Sequence, residues 1–84
     1  MNQEAELIKK LKNSKLKDQA YKELLDLYQE RLYWHIRKIV ITHDNANDVL
    51  QNTFIRVYKG IKNFKEQSKL HTWMYRIAYN ESIR

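Results

Sequence analysis

The chain contains no proline and a single glycine, Gly60, within 84 residues. Proline and glycine interrupt helices most strongly, whereas the abundant leucine, lysine, glutamate, glutamine and isoleucine leave few breakers and favour helix along nearly the whole length. We therefore predict an all-α fold. A chain of this length buries only a modest core, so we expect one domain, a compact bundle of three main helices plus a short N-terminal helix.

Hydrophobic spacing and capping residues divide the chain into these helices. Residues 1–17 are predicted to be a short helix, from about Glu4 to Lys12, and a linker, and this helix is expected to be an adapter outside the core. Residues 18–84 are predicted to form the core bundle, beginning with a long helix capped near Asp18. The predicted inner-face residues of these two helices are Leu7, Ile8 and Leu11, then Tyr21, Leu25, Tyr28, Leu32, Ile36 and Ile39.

The third predicted helix follows a turn at residues 42–47, runs to about Gly60 and has two different faces. Asp44 and Asn45 are expected to cap its start. The polar face, which includes the apolar Ile55, favours a partner protein, although a solvated surface with one stray isoleucine explains it equally well. The apolar face comprises Ala46, Leu50, Thr53, Phe54, Val57 and Ile61, and the polar face comprises Asp48, Gln51, Asn52, Ile55 and Lys59.

A polar loop with one aromatic residue, Phe64, precedes the last helix, which Ser68 is expected to cap. Tyrosines interleaved with Arg76 and Asn80 are typical of surfaces that stack on bases, hydrogen-bond their edges and neutralise phosphate. The alternative is that these tyrosines cover a second helix–helix contact. Leu70, Trp73, Met74 and Ile77 are predicted to pack inward, and Thr72, Tyr75, Arg76, Tyr79 and Ile83 to point outward.

Charge and composition narrow the classes of function. Sixteen basic against ten acidic residues give a formal net charge of +6, which points to nucleic acid, although lysines that only keep the protein soluble give the same total. The sequence has no cysteine, so no disulfide is expected. It also has no long apolar run, so neither export nor membrane insertion is expected, and we predict a cytoplasmic protein. No catalytic constellation is recognisable, and His35, His43 and His71 lack the spacing of metal ligands, so neither an enzyme nor a cofactor is expected.

Two segments together resemble region 2 of bacterial sigma-70-family sigma factors, specifically the extracytoplasmic-function (ECF) group. The first is NDVLQNTFIRVYKG, residues 47–60, in which Asp48, Gln51, Phe54 and Tyr58 occupy the places of the family pattern. The second is TWMYRIAYN, residues 72–80, which matches the family's Thr-Trp, Tyr-Arg-Ile-Ala and Asn positions. Each motif alone is suggestive, but both at the family's separation make a specific signal.

This resemblance implies a role in transcription initiation. In the family, the polar face of the third helix docks on the clamp helices of the largest subunit of RNA polymerase core, which here implies Asp48, Gln51, Asn52 and Ile55. The loop and last helix of the family bind the single-stranded minus-ten promoter element on the non-template strand, and an anti-sigma factor is a further candidate partner. The implied DNA-binding residues are Lys62, Asn63, Phe64, Lys65, Ser68, Lys69, Thr72, Tyr75, Arg76, Tyr79 and Asn80.

Several departures from the family pattern modify these expectations. Asn52 replaces a usual acidic residue, which weakens charge complementarity with polymerase. Met74 replaces a strand-separating tryptophan of primary sigma factors, which implies weaker melting, and Glu66 leaves the preferred base open. The family's region 4 helix-turn-helix domain has no counterpart in these 84 residues, so the chain is either one domain of a longer protein or a natural short protein. The alternative function is a helical protein-interaction adapter without sequence-specific DNA binding.

Overall fold

A computed structural model describes residues 3–84, which form four α-helices and one 3-10 turn without any strand. The helices are α1 (Gln3–Leu11), α2 (Lys17–Arg37), α3 (His43–Gly60) and α4 (Leu70–Ser82), and the 3-10 turn covers Ile61–Asn63. The predicted all-α fold is therefore confirmed. The first two residues of the predicted 1–17 segment lie outside the described residues. None of the helices within residues 3–84 is long and apolar enough to cross a membrane.

The core lies among α2, α3 and α4, each of which contacts the other two. Leu24, Leu32 and Ile36 of α2 are completely buried, as are Leu70 and Met74 of α4. Removing such apolar side chains from water is the main force that stabilises a small helical bundle. The core therefore holds α3 and α4 in a fixed relation to each other, which positions the surfaces that they expose.

The short helix α1 is part of this core, contrary to the expectation that it is an adapter outside it. Its inner residues are those predicted, and all three are buried in the common core cluster: Leu7, Ile8 and Leu11. The helix contacts α2 and the 3-10 turn. A helix of nine residues is marginal in water by itself, so its apolar stripe must be covered for the helix to form.

The inner face of α2 centres on Leu24 rather than on the predicted Leu25. Leu24 and Ala20 are buried, whereas Leu25 and the two predicted tyrosines, Tyr21 and Tyr28, are only partly buried. Leu32 and Ile36 are buried as predicted, but Ile39 lies beyond the end of the helix. The prediction was wrong because apolar residues occupy several sides of this helix, so their spacing does not select one face.

Two predicted caps are replaced by other residues. Leu16 occupies the N-cap position of α2 without a side-chain hydrogen bond. Asp18 instead accepts a hydrogen bond from the Tyr58 hydroxyl at 2.7 Å and so joins α2 to α3. At α4 the N-cap is Lys69, not Ser68, and no side chain caps this helix. Both predictions failed because a polar residue near a helix start has other partners available in the folded chain.

The start of α3 is also capped by a different residue from those predicted. The hydroxyl of Thr42 accepts a hydrogen bond from the backbone N–H of Asn45 at 3.2 Å. Thr42 has an extended backbone, as an N-cap requires, whereas Asp44 and Asn45 already lie in the first turn of the helix. The predicted end at Gly60 is confirmed, and the chain continues directly into the 3-10 turn.

Candidate functional site

The outward face of α3 carries the four residues that the sequence assigns to polymerase docking. Asp48, Gln51, Asn52 and Ile55 are all exposed, Ile55 to 48%. The opposite face contains the predicted buried residues Ala46, Leu50, Thr53, Phe54 and Val57, followed by Ile61. The predicted division of this helix into two faces is therefore observed, and the four exposed residues form one surface. Their role in docking stays a prediction.

An ion-pair cluster joins this surface to α4. The Glu81 carboxylate lies 2.6 Å from Nε of Arg56 on α3 and 3.6 Å from Nε of Arg84. The Glu81 side chain is only 7% exposed, whereas both arginine side chains are largely exposed. The three residues line a shallow groove together with Asn52 and Ile55. Sequence reasoning missed this cluster, because its only local signal is the spacing of three residues between Glu81 and Arg84.

The ring of Phe64 is buried rather than exposed, and its role as a DNA-binding residue stays a prediction. The side chain is only 5% exposed. Its ring stacks on that of Trp73, with the ring centroids 4.8 Å apart and the planes inclined by 29°. An aromatic residue in a polar loop looks available in the sequence, but its apolar surface is more stable when it is buried against another ring. Phe64 therefore anchors the loop to α4.

The rest of the loop presents polar and cationic groups. Lys62, Asn63, Lys65 and Lys69 are exposed and Ser68 is partly buried. A residue that the sequence did not suggest also reaches this loop: Nζ of Lys12 donates a hydrogen bond to the Phe64 carbonyl oxygen at 2.6 Å. No local pattern could reveal a contact between residues 52 positions apart.

The outward face of α4 differs from the prediction at one tyrosine. Thr72, Arg76 and Tyr79 are exposed as predicted, Tyr79 to 50%, and Ile83 is exposed beyond the end of the helix. Asn80 is exposed as well. Tyr75 is instead half-buried and stacks on the His35 ring of α2, with centroids 4.6 Å apart and planes inclined by 15°. One face of Tyr75 is therefore covered by the His35 ring, whereas Tyr79 is half exposed.

The inward face of α4 is narrower than predicted. Leu70 and Met74 are buried as predicted, together with Ala78, while Trp73 and Ile77 are only partly buried against the core. Trp73 is partly covered by the Phe64 ring. The prediction that Trp73 packs inward is therefore confirmed, since its side chain is partly buried against the core.

Raised pKa values occur at three tyrosines, none of which belongs to the predicted binding residues. The hydrogen bond to Asp18 is the main cause that raises the pKa of Tyr58 above its ordinary value. Burial raises the pKa of Tyr21 and is also the main cause that raises the pKa of Tyr28. Within residues 3–84, no group of three His, Asp or Glu side chains is arranged to hold a metal ion.

The motifs and the arrangement of helices agree with one family. The sequence model of sigma-70 region 2 matches residues 24–84, so the chain belongs to the sigma-70 region 2 family. Its relatives include ECF sigma factors, which confirms the resemblance to that group. The chain is 36% identical over 76 residues to the ECF RNA polymerase sigma factor SigW of Bacillus subtilis, covering 89% of this chain and 41% of SigW.

A second relative is the ECF RNA polymerase sigma-E factor of Haemophilus influenzae, 36% identical over 61 residues, covering 73% of this chain and 32% of the relative. The chain thus spans less than half the length of these curated relatives. A solved structure is also similar, with a TM-score of 0.83 at 27% sequence identity, covering 99% of this chain and 87% of the other. It is the NMR structure of an engineered region 2 of sigmaE in complex with GTAAAA.

Proposed function

We propose that this chain is the promoter-recognition domain of an alternative sigma factor. It docks on RNA polymerase core through α3 and binds the non-template strand of the minus-ten promoter element with its loop and α4. The observation that carries the proposal is the likeness, over 99% of this chain, to a region 2 domain in complex with GTAAAA. The exposed groups of α4 and the loop support it, because they combine a ring face, amides and cations.

The proposed mechanism is binding rather than catalysis. A base can be read along its edge only after it leaves the stack, so a surface that binds unpaired bases stabilises the opened promoter. Binding to the open state alone shifts the opening equilibrium towards it. Tyr79 is available for stacking, Asn80 for hydrogen bonds to a base edge, and Arg76 for a phosphate. Such a domain acts in the cytoplasm, where core polymerase and promoter DNA are located.

Strand binding is tested by titrating the protein into a labelled single strand d(GTAAAA) and into a scrambled strand of the same composition. We expect tighter binding to the first strand and a steep loss of affinity with salt. The logarithm of the binding constant should fall linearly with the logarithm of the salt concentration, with a slope of about −0.7 for each phosphate neutralised. Lys65→Gln should make that slope shallower, and by more than Lys22→Gln, which removes the same charge from an exposed position on α2. Equal binding of both strands without a salt slope would instead indicate the protein-interaction adapter.

Polymerase docking is tested with charge introduced on the outward face of α3. Gln51→Lys combined with Ile55→Lys should abolish association with core polymerase, while the helical content and the affinity for d(GTAAAA) stay unchanged, because both side chains are exposed. Gln19→Lys combined with Leu27→Lys adds the same charge at exposed positions of α2 and serves as the control. Equal loss in both double variants would refute docking through α3. A protein that covers this face, such as an anti-sigma factor, would block the same association.

A crosslinker placed at Asp48 identifies the subunit that α3 contacts. We expect recovery of the clamp region of the largest polymerase subunit. Recovery of another subunit would contradict the proposed docking geometry, while it would leave strand binding by the loop and α4 unaffected.

A further inference from the structure

Lys12, at the end of α1, makes three contacts with the loop that precedes α4. Its Nζ donates a hydrogen bond to the Phe64 carbonyl oxygen at 2.6 Å. The same Nζ lies 3.8 Å from Oε2 of Glu66 and 6.0 Å from the centroid of the Phe64 ring. An ammonium group has three N–H donors, so it can bind the carbonyl oxygen and the carboxylate at once. The Lys12 side chain, directly after α1, therefore contacts both the backbone and the side chains of the loop.

The loop needs support at this point because its backbone is in an unfavourable conformation. Glu66 has a φ of 57°, in the left-handed region that residues with a Cβ rarely adopt. Such a conformation persists only where the surrounding structure holds it. Lys12 Nζ contacts the loop at two points next to this backbone. One is the carbonyl oxygen of Phe64, two residues before Glu66, and the other is the carboxylate of Glu66 itself.

The support is fixed in turn by the core. Leu11, the neighbour of Lys12, is only 1% exposed, and Leu7 and Ile8 are buried on the same helix. The backbone N–H of Lys12 also donates to the Ile8 carbonyl oxygen at 3.0 Å. The buried helix thus fixes the backbone of Lys12, and the hydrogen bond from Nζ restrains the loop relative to that helix.

We propose that Lys12 is a positioning residue for strand recognition: it holds the loop of residues 64–69 in the conformation that presents Lys65 and Lys69 to the DNA strand, without contacting the strand itself. This inference rests on the proposed function, in which that loop binds the minus-ten element. Lys12 lies outside residues 24–84, the part of the chain that matches the region 2 family, so α1 adds this support from outside the matched segment.

Hydrogen exchange measured by NMR tests the effect on the loop without any DNA. Lys12→Met keeps the aliphatic stem and removes the ammonium. It should raise the exchange rate of the Phe64 amide, which donates to the Ile61 carbonyl oxygen at 3.1 Å, by about fivefold, the effect of one hydrogen bond. Lys10→Met is the control, because Lys10 is exposed on the same helix and lines a groove with Leu16 and Glu23. Equal exchange in the two variants overturns the proposal.

Strand affinity, measured with d(GTAAAA), tests the consequence. We expect Lys12→Met to bind about fivefold more weakly than Lys10→Met, with the same salt slope in both. A slope that becomes shallower by about 0.7 in Lys12→Met alone would mean that Lys12 contacts a phosphate, which refutes a positioning role. Equal affinity in the two variants likewise refutes it. If the unaltered protein binds no strand, the proposed function fails, and the exchange rates alone decide whether Lys12 holds the loop.

Discussion

Replacing Phe64 separates a structural role of its ring from a role in stacking on a base. The ring is 5% exposed and stacks on Trp73 at 4.8 Å. Truncating a buried phenylalanine to alanine costs about 3–5 kcal/mol, and we expect about 3 kcal/mol here because the loop can partly close the space. A domain of 84 residues has a total stability of roughly 4–13 kcal/mol, so Phe64→Ala removes a large fraction of it.

Phe64→Leu is the more informative variant, because it keeps most of the buried volume and removes only the ring. The lost ring pair should lower the free energy of unfolding by about 1 kcal/mol, which lowers the Tm by about 4–8 °C for a domain of this size. Thermal and urea unfolding followed by far-UV circular dichroism measure this change. The folded variant should still bind d(GTAAAA) within about twofold of the unaltered protein.

Tyr79→Leu is the matched control, since the same type of ring is replaced at a half-exposed position. Its stability should change by less than about 0.5 kcal/mol. Its strand affinity should fall, because a ring stacked on a base contributes about 1–3 kcal/mol. If Phe64→Leu loses as much strand affinity as Tyr79→Leu while its unfolding midpoint stays unchanged, then the Phe64 ring faces the strand and the structural interpretation is wrong.

Two further predictions concern the contacts that fix α3. Thr42→Ala removes the hydroxyl that accepts from Asn45 and should lower the free energy of unfolding by about 1 kcal/mol, whereas Thr42→Ser should retain most of it; equal thermal midpoints for both variants would contradict the cap. Because the pKa values of Tyr58 and Tyr21 are raised in the folded state, the unfolded state releases these protons first as pH rises. The protonated tyrosines therefore stabilise the folded state fully below about pH 10, and this contribution is lost as pH rises through the folded-state pKa values. The urea midpoint should therefore fall above about pH 10, less steeply in Tyr58→Phe, which cannot donate to Asp18, and a midpoint that rises instead would refute the sign.

The sequence was informative where one helix carries two chemically distinct faces. In α3, apolar and polar residues alternate with the helical period, so the exposure of Gln51 and Ile55 followed from spacing alone. In α2, apolar residues on several sides made the choice between Leu24 and Leu25 depend on how the helices pack. Spacing within a helix contains no information about such packing.

Contacts between distant segments were beyond the reach of sequence patterns for the same reason. The ring of Phe64 contacts Trp73 on α4 and lies near Lys12, which directly follows α1. A polar loop with one aromatic ring is compatible with an exposed or a buried ring, and only the neighbouring helices decide which one forms. The exposure of Arg76 and Tyr79 therefore followed from the sequence, whereas the burial of Phe64 did not.

The carboxylate of Glu81 forms ion pairs at the place where the two candidate binding surfaces adjoin. It connects the C-terminal turn of α4 to Arg56, which follows directly after Ile55 on α3. The carboxylate is nearly buried, whereas the Arg56 side chain is about half exposed, so this ion pair lies at the protein surface. Removal of the Glu81 carboxylate would therefore leave Arg56 and Arg84 without their shared anion and would concentrate positive charge between the two candidate surfaces.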